Sequence, residues 1–349
     1  MQKKVIKTKL VNREEVFMIL ALGEALQMPV LLEGPPGTGK SNSLYDYAED
    51  HKEDVFLVEL DSGSKASEVK GFLNMKALLE EKRYETFSPI TTKKYILINE
   101  VEKGSSEIRN TLLSIMQERQ LQLGSEGVKE CKWEVFAGSC NSIPSDERKE
   151  PFWDRFLIKH MVAPLTLEEM KYARKRITQT IEIEIPKEDE MKPISEAMMN
   201  KFDELTASAL SDRARMAAPR LAAGIKAIWR LDDYQSLCKT ASFLCPELVS
   251  NVSSSLIPAE IVEIKTLIHN IDSQADYDSR VKMFSKLSAL FVAYNRSRTK
   301  DKEMVDMIKP DINRIADMME KQLAEAEAKK KEAKSQQVPE SADQPTTAA

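Results

Sequence analysis

The chain has 349 residues, 42% of them hydrophobic and 31% charged, with a formal net charge of −5. That length suits two domains with a sizeable core, and the apolar content excludes a disordered chain. The acidic balance excludes a global attraction to nucleic acid and leaves only a local basic groove for such a role.

The N-terminus, MQKKVIKTKL, is basic and lacks an apolar signal region. Asn12 with Glu15 three residues on forms an approximate capping box. Val16, Ile19, Leu20, Gly23 and Leu26 then share one helical face, and Pro29 ends that helix. VLLE (30–33) reads as a strand, followed by a Gly/Pro loop and a helix from about Ser41. Four more strands are expected at VFLVEL (55–60), KYILINE (94–100), WEVFAGSCN (133–141) and IKHMVAPL (158–165). Strands alternating with helices argue a parallel sheet covered on both faces. After Pro164, LTLEEMKYARKRI reads as a helix capped by Thr166 with Glu169 at its third position, and Pro186 and Pro193 mark a linker or turn. Only helical periodicity follows, to about residue 325, before a polar tail that cannot bury enough apolar area to fold. No apolar run approaches the ~18 residues of a membrane span, so a cytoplasmic protein is expected. Cys131, Cys140, Cys238 and Cys245 form no CxxC pair, and His51, His160 and His269 match no ligand spacing. Reduced thiols are expected.

GPPGTGKS, residues 34–41, fits G-x-x-x-x-G-K-[ST] after a strand and before a helix. Gly34, Pro35, Pro36, Gly37, Thr38 and Gly39 form the loop whose N–H groups face phosphate oxygens, with Gly34, Gly37 and Gly39 letting it curl. The helix N-terminus favours the same anion. Lys40 would reach the β- and γ-phosphates of ATP, and Ser41 would ligate Mg²⁺. About sixty residues downstream, the apolar strand YILIN ends before Glu100, an acid able to polarise an attacking water.

In order, these motifs resemble an AAA+ ATPase of the MoxR family, in the helix-2-insert branch. EVKG (68–71) and FLNMKALLEEKRYETFSPIT resemble the stretch where that family inserts a hairpin into helix 2. NTLLSIMQERQLQL (110–123) resembles its Glu-Arg helix end and pre-sensor hairpin. FAGSCNS (136–142) resembles the sensor 1 strand and assigns the sensor to Asn141; FWDRF (152–156) resembles the motif of the arginine finger and assigns it to Arg155. SDRARMAAPRLAAGIKAI (211–228) resembles the start of the lid helix, mapping sensor 2 to Arg220, although Ala218 stands where the family has Ser. Alone, each of the three has a plainer reading: a strand-end amide, a local pair with Asp154 or Glu150, and a solvated arginine.

The resemblance covers about residues 10–260 and implies an α/β P-loop NTPase core with a five-stranded parallel sheet (1–165) and an all-α lid (166–260); helical periodicity and composition add further C-terminal helices (261–334) and a disordered tail (335–349). The resemblance further implies a homo-oligomeric ring, most often a hexamer, a partner carrying a von Willebrand factor A domain, and a protein client that the motor remodels or chaperones. In the family an Asp precedes the catalytic Glu and supports Mg²⁺ and the P-loop serine; here Asn99 keeps the shape without the charge. Three readings of Asn99 stay open: a natural residue of a slow ATPase, a laboratory substitution that traps ATP, or part of a scaffold that hardly turns over. Two other functions are weighed. One is a nucleic-acid motor, against which residues 72–91 set Glu80, Glu81 and Glu85 beside Lys76, Lys82 and Arg83, with no basic aromatic track. The other is a non-hydrolysing, ATP-gated assembly scaffold.

Overall fold

The computed structural model describes residues 2–296 apart from 83, 124–125, 144–146, 148–149, 257–258 and 274–276, together with 305 and 308–322. Packing divides the chain into two compact units, Met1–Leu256 and Ile257–Ala349. The first contains β1 (Gln2–Thr8), α1 (Glu14–Leu26), β2 (Val30–Glu33), α2 (Lys40–Ala48), β3 (Val55–Glu59), α3 (Ala66–Lys70), β4 (Phe72–Leu73), α4 (Met75–Glu80), β5 (Thr86–Phe87) and β6 (Tyr95–Asn99). It continues through α5 (Ser106–Glu118), β7 (Gln120–Gln122), β8 (Val128–Glu130), β9 (Val135–Cys140), α6 (Pro151–Asp154), β10 (Ile158–Met161), α7 (Leu167–Ala173) and β11 (Gln179–Ile185). Four helices follow: α8 (Glu196–Thr206), α9 (Asp212–Trp229), α10 (Asp233–Leu244) and α11 (Val249–Leu256).

Five strands form a parallel sheet in the order β10-β2-β9-β6-β3, the α/β fold of a P-loop NTPase. Every residue of β2, β6 and β9 is buried, as expected of a parallel sheet covered on both faces. On one face, Phe17, Ile19, Leu20 and Leu44 of α1 and α2 pack with Leu221, Ile225 and Phe243 of α9 and α10. On the other, Ile108, Leu112 and Ile115 of α5 pack with Phe152, Trp153 and Phe156. Helices α9 and α10 therefore share a core with the sheet.

Two local readings change. The capping box at Asn12 is absent: α1 starts at Glu14, Asn12 turns to positive φ, and its amide reaches Glu169 instead. Arg13, the N-cap residue, makes no side-chain cap, because a guanidinium has no acceptor to offer the helix N–H groups; its donors go to Thr38 instead. At α7 the capping box is present, with Thr166 and Glu169 bonded reciprocally. An antiparallel pair, β1 with β11, was not anticipated. Its inward positions on β1 include polar Lys4 and Thr8, which hide the alternation. Lys4 is held by Glu24 at 2.8 Å and lies over the Tyr47 ring, and Thr8 donates to Asp46 at 2.6 Å.

The second unit contains α12 (Ala259–Ser273), α13 (Tyr277–Arg296) and helical residues 308–322. Its interior holds Ile264, Ile271, Leu287, Ile308 and Ile315, and Arg314 forms a two-pronged pair with Asp272. The expected tail, 335–349, lies outside the described residues.

Candidate active site

The site is assembled at the carboxyl edge of the sheet, where β2, β6 and β9 end side by side. After β2 the chain enters the P-loop. Gly34 has φ 154°, and a Cβ there would lie 2.4 Å from the Val162 carbonyl oxygen. Gly39 has φ 86° immediately before α2. An L side chain is strained at both positions, so the curl requires glycine.

Lys40 is buried, and its ammonium donates to the carbonyls of Gly34 (2.6 Å) and Pro35 (2.9 Å) and to Asn141 Oδ1 (3.4 Å). Burial pushes its pKa below the ordinary value, opposed by Cys140, Glu100 and Glu102. A cation whose hydrogen-bond partners are all neutral dipoles, beside a helix N-terminus, fits a phosphate anion. Ser41 stands half-buried in the first turn of α2, where the loop motif puts a Mg²⁺-binding hydroxyl. Among the described residues, no group of three His, Cys, Asp or Glu side chains could hold a metal alone. An ion here would lean on phosphate and water, as Mg²⁺ does.

Glu100 follows β6 in the left-handed region, at φ 55° and ψ 44°. Such a backbone costs a non-glycine residue about 1–2 kcal/mol and turns the chain sharply away from the strand. Its carboxylate accepts from Asn141 Nδ2 at 2.9 Å and pairs with Lys103 at 3.1 Å. Asn141, the first residue past β9, thus touches both Lys40 and Glu100. Its main-chain N–H donates to Glu102 at 2.8 Å.

Asn99 closes β6 beside Glu100. It is 1% exposed; its amide donates to the Tyr45 hydroxyl at 2.7 Å and accepts from Ser139 at 2.9 Å. Both ends of the amide are spent on tying β9 to the P-loop helix. Neither of the two arginines assigned from the resemblance lies at the P-loop of its own chain, and for Arg155 a finger serving a neighbouring subunit would not be there. Arg155 precedes β10, whose first residue pairs with Val30, the first of β2. The four-residue strand, at about 3.3 Å per residue, separates that edge from the P-loop by about 13 Å. There Arg155 bonds Gln117 at 2.7 Å and Pro151 at 3.0 Å, and burial and nearby Arg213 hold its pKa below the ordinary value against the pull of Asp154. Arg220 pairs with Glu188 at 2.7 Å, and its charge acts on Arg119, which bonds Gln27 and Trp133 just ahead of β2 and β9. Arg220 is therefore not brought to the P-loop of its own chain.

Two residues at the site escaped the motif reading. Arg13, 5% exposed, donates to Thr38 O through Nε (3.0 Å) and Nη2 (2.9 Å), and to Ala163 O (3.0 Å) and Asn12 O (2.7 Å). It fastens the P-loop to the exit of β10. Glu102 is the other. Neither belongs to a phosphate-binding pattern, and the one available signal was a charged residue flanking a buried element.

The fold and this cluster define a P-loop NTPase of the AAA+ class. A family model described as the MoxR domain in the MoxR-vWA-beta-propeller ternary systems matches residues 1–203, more than half of the chain. The chain belongs to the MoxR family of AAA+ ATPases. Two uncharacterized proteins of Methanocaldococcus jannaschii are each 30% identical to it over 153 residues, 43% of this chain and 40% of theirs. The match thus spans less than half the length of those curated relatives. The crystal structure of a Cytophaga hutchinsonii protein assigned as an ATPase superposes with TM-score 0.50 at 18% identity, over 71% of this chain and 82% of that one. At that identity the likeness speaks for the fold alone. Among the described residues no helix is long and apolar enough to cross a membrane.

Proposed function

We propose that the chain binds ATP in the P-loop and hydrolyses it at the interfaces of a homo-oligomeric ring, using the energy to remodel a protein client. The observation that carries this reading is the junction at Asn141, where Lys40 and Glu100 meet on one side chain. The loop 34–39 and Lys40 would hold the triphosphate, and Ser41 would hold Mg²⁺. Bound there, Mg²⁺ would neutralise charge on the phosphate oxygens. Glu100 takes the proton of the attacking water, with Asn141 orienting its carboxylate. Arg155 cannot serve its own P-loop from the opposite sheet edge, which supports its delivery to a neighbouring subunit as an arginine finger. A closed ring, most often six subunits in this family, gives every site such a neighbour.

A protein client is favoured over nucleic acid by the insert between α3 and β6. Phe72, Met75, Leu79, Tyr84 and Phe87 are all more than half exposed there, the chemistry of a surface that grips apolar protein segments. Cytoplasmic work beside a partner with a von Willebrand factor A domain is the setting we expect, because the matching family model is named for such systems. The test is phosphate release beside a native mass measurement, each with and without ATP and Mg²⁺. Steady turnover by a nucleotide-dependent oligomer is expected, and Lys40→Ala should abolish it. Tight ATP binding without turnover would leave the scaffold reading instead.

A further inference from the structure

Residue 99 carries no charge in this chain, and its amide is committed to Tyr45 and Ser139. A second carboxylate, Glu102, nonetheless stands two residues past Glu100 and reaches Asn141, the residue that touches Lys40. The short 3-10 turn Val101–Lys103 swings Glu102 back toward the end of β9. One of its oxygens accepts from the Asn141 N–H at 2.8 Å. The other, Oε2, is buried and has no hydrogen-bond partner among the described residues. Arg109 holds the main chain of this turn through the Glu102 carbonyl at 2.9 Å. Asn141 in turn touches Lys40 through Oδ1, so Glu102 and Lys40 stand on one residue, and the charge of Glu102 is felt at Lys40. A desolvated carboxylate oxygen left unpaired is costly unless a cation engages it.

We propose that Glu102 is the metal-positioning carboxylate of this site, facing Mg²⁺ and its waters in place of the acid that residue 99 lacks. This rests on the reading of the P-loop as a site for Mg²⁺ and ATP. The acid pair of the site is then Glu100 and Glu102, one for water and one for the ion. Asn99 is a neutral strut between β9 and the P-loop helix.

The rival is that Glu102 only braces the Asn141 N–H, and two substitutions rank oppositely under the two accounts. Glu102→Gln keeps an acceptor for that N–H and loses the charge. Glu102→Asp keeps the charge and loses the reach. The measurement is binding of a non-hydrolysable ATP analogue to the full-length protein across a Mg²⁺ titration, with Mn²⁺ binding followed by electron paramagnetic resonance. Glu102→Gln should raise the Mg²⁺ concentration for half-maximal binding by about tenfold or more, as loss of a metal's supporting partner does. Glu102→Asp should raise it less, and binding in EDTA should not weaken in either. Asn99→Asp should leave the midpoint where it is. A Gln variant that matches wild type, or an Asp variant worse than Gln, overturns the proposal. If Glu102→Gln does not fold, the Asp variant decides alone: a midpoint shifted well beyond tenfold, with weakened binding in EDTA, marks a brace. If the wild-type protein binds no analogue, or Lys40→Ala binds it equally, the P-loop reading has failed rather than the assignment of Glu102.

Discussion

Replacing Arg13 with Met keeps the length of the side chain and removes every donor. Thr38 O loses two charged hydrogen bonds and Ala163 O loses one. A buried carbonyl left unpaired costs about 1–3 kcal/mol, the cost expected at Thr38 O; Ala163 is exposed, so water can take over the bond to its carbonyl. Part returns because a guanidinium no longer has to be buried; burial is what pushes the Arg13 pKa down. A net loss of about 1–2 kcal/mol remains. For a unit the size of Met1–Leu256 this lowers Tm by roughly 2–8 °C. The damage is local to the phosphate loop, so ATP-analogue affinity should fall by about tenfold or more beyond the loss of stability. Arg13→Lys should fall between, since one ammonium cannot fork between Thr38 and Ala163. Differential scanning fluorimetry with and without the analogue reads both effects. A Tm within about 2 °C of wild type, with unchanged affinity, would refute the clamp.

Other outcomes follow from the same geometry. Gly34→Ala drives a Cβ toward the Val162 carbonyl at 2.4 Å and should abolish analogue binding, read by calorimetry. Tyr45→Phe strands the buried Asn99 amide and should cost about 1–3 kcal/mol in urea unfolding, without moving the Mg²⁺ midpoint. Arg314, through its hydrogen bond first, holds the Asp272 carboxyl below its usual range. The folded value is thus below the unfolded one, so this stabilisation is complete above about pH 4 and fades as pH falls through the folded value. Helical circular dichroism should show that acid loss in the wild type and a smaller one in Arg314→Met. Truncation after residue 334 should leave melting and analogue binding nearly unchanged, because the segment is polar and rich in proline.

The parts of the fold written as uninterrupted apolar runs were legible. β2, β6 and β9 are buried on both faces, and strands of that kind need no partner to be recognised. The P-loop was legible because its chemistry allows few substitutes: glycine where φ is positive, lysine at the helix start. β1 was hidden because Lys4 and Thr8 point inward and are satisfied by Glu24 and Asp46, partners far along the chain. Arg13 was hidden because its partners are main-chain carbonyls, which carry no residue signature. Glu102 was hidden for a similar reason: its partner is the Asn141 main-chain N–H, and spacing identifies a strand end but not which side chains past it reach the neighbouring strand. The α9 motif likewise identified a helix at Arg220 without revealing that the residue faces Glu188.

The most direct test of hydrolysis between subunits mixes two inactive proteins. Glu100→Gln retains Arg155, and Arg155→Ala retains Glu100; each alone should release phosphate orders of magnitude more slowly than wild type. Subunits exchanged at equal proportions place an intact Glu100 opposite an intact Arg155 at about one interface in four. Phosphate release by the mixture should therefore rise to a substantial fraction of the wild-type rate. A mixture as inactive as its components, or an Arg155→Ala protein that turns over at the wild-type rate by itself, would contradict a site completed by the neighbouring subunit.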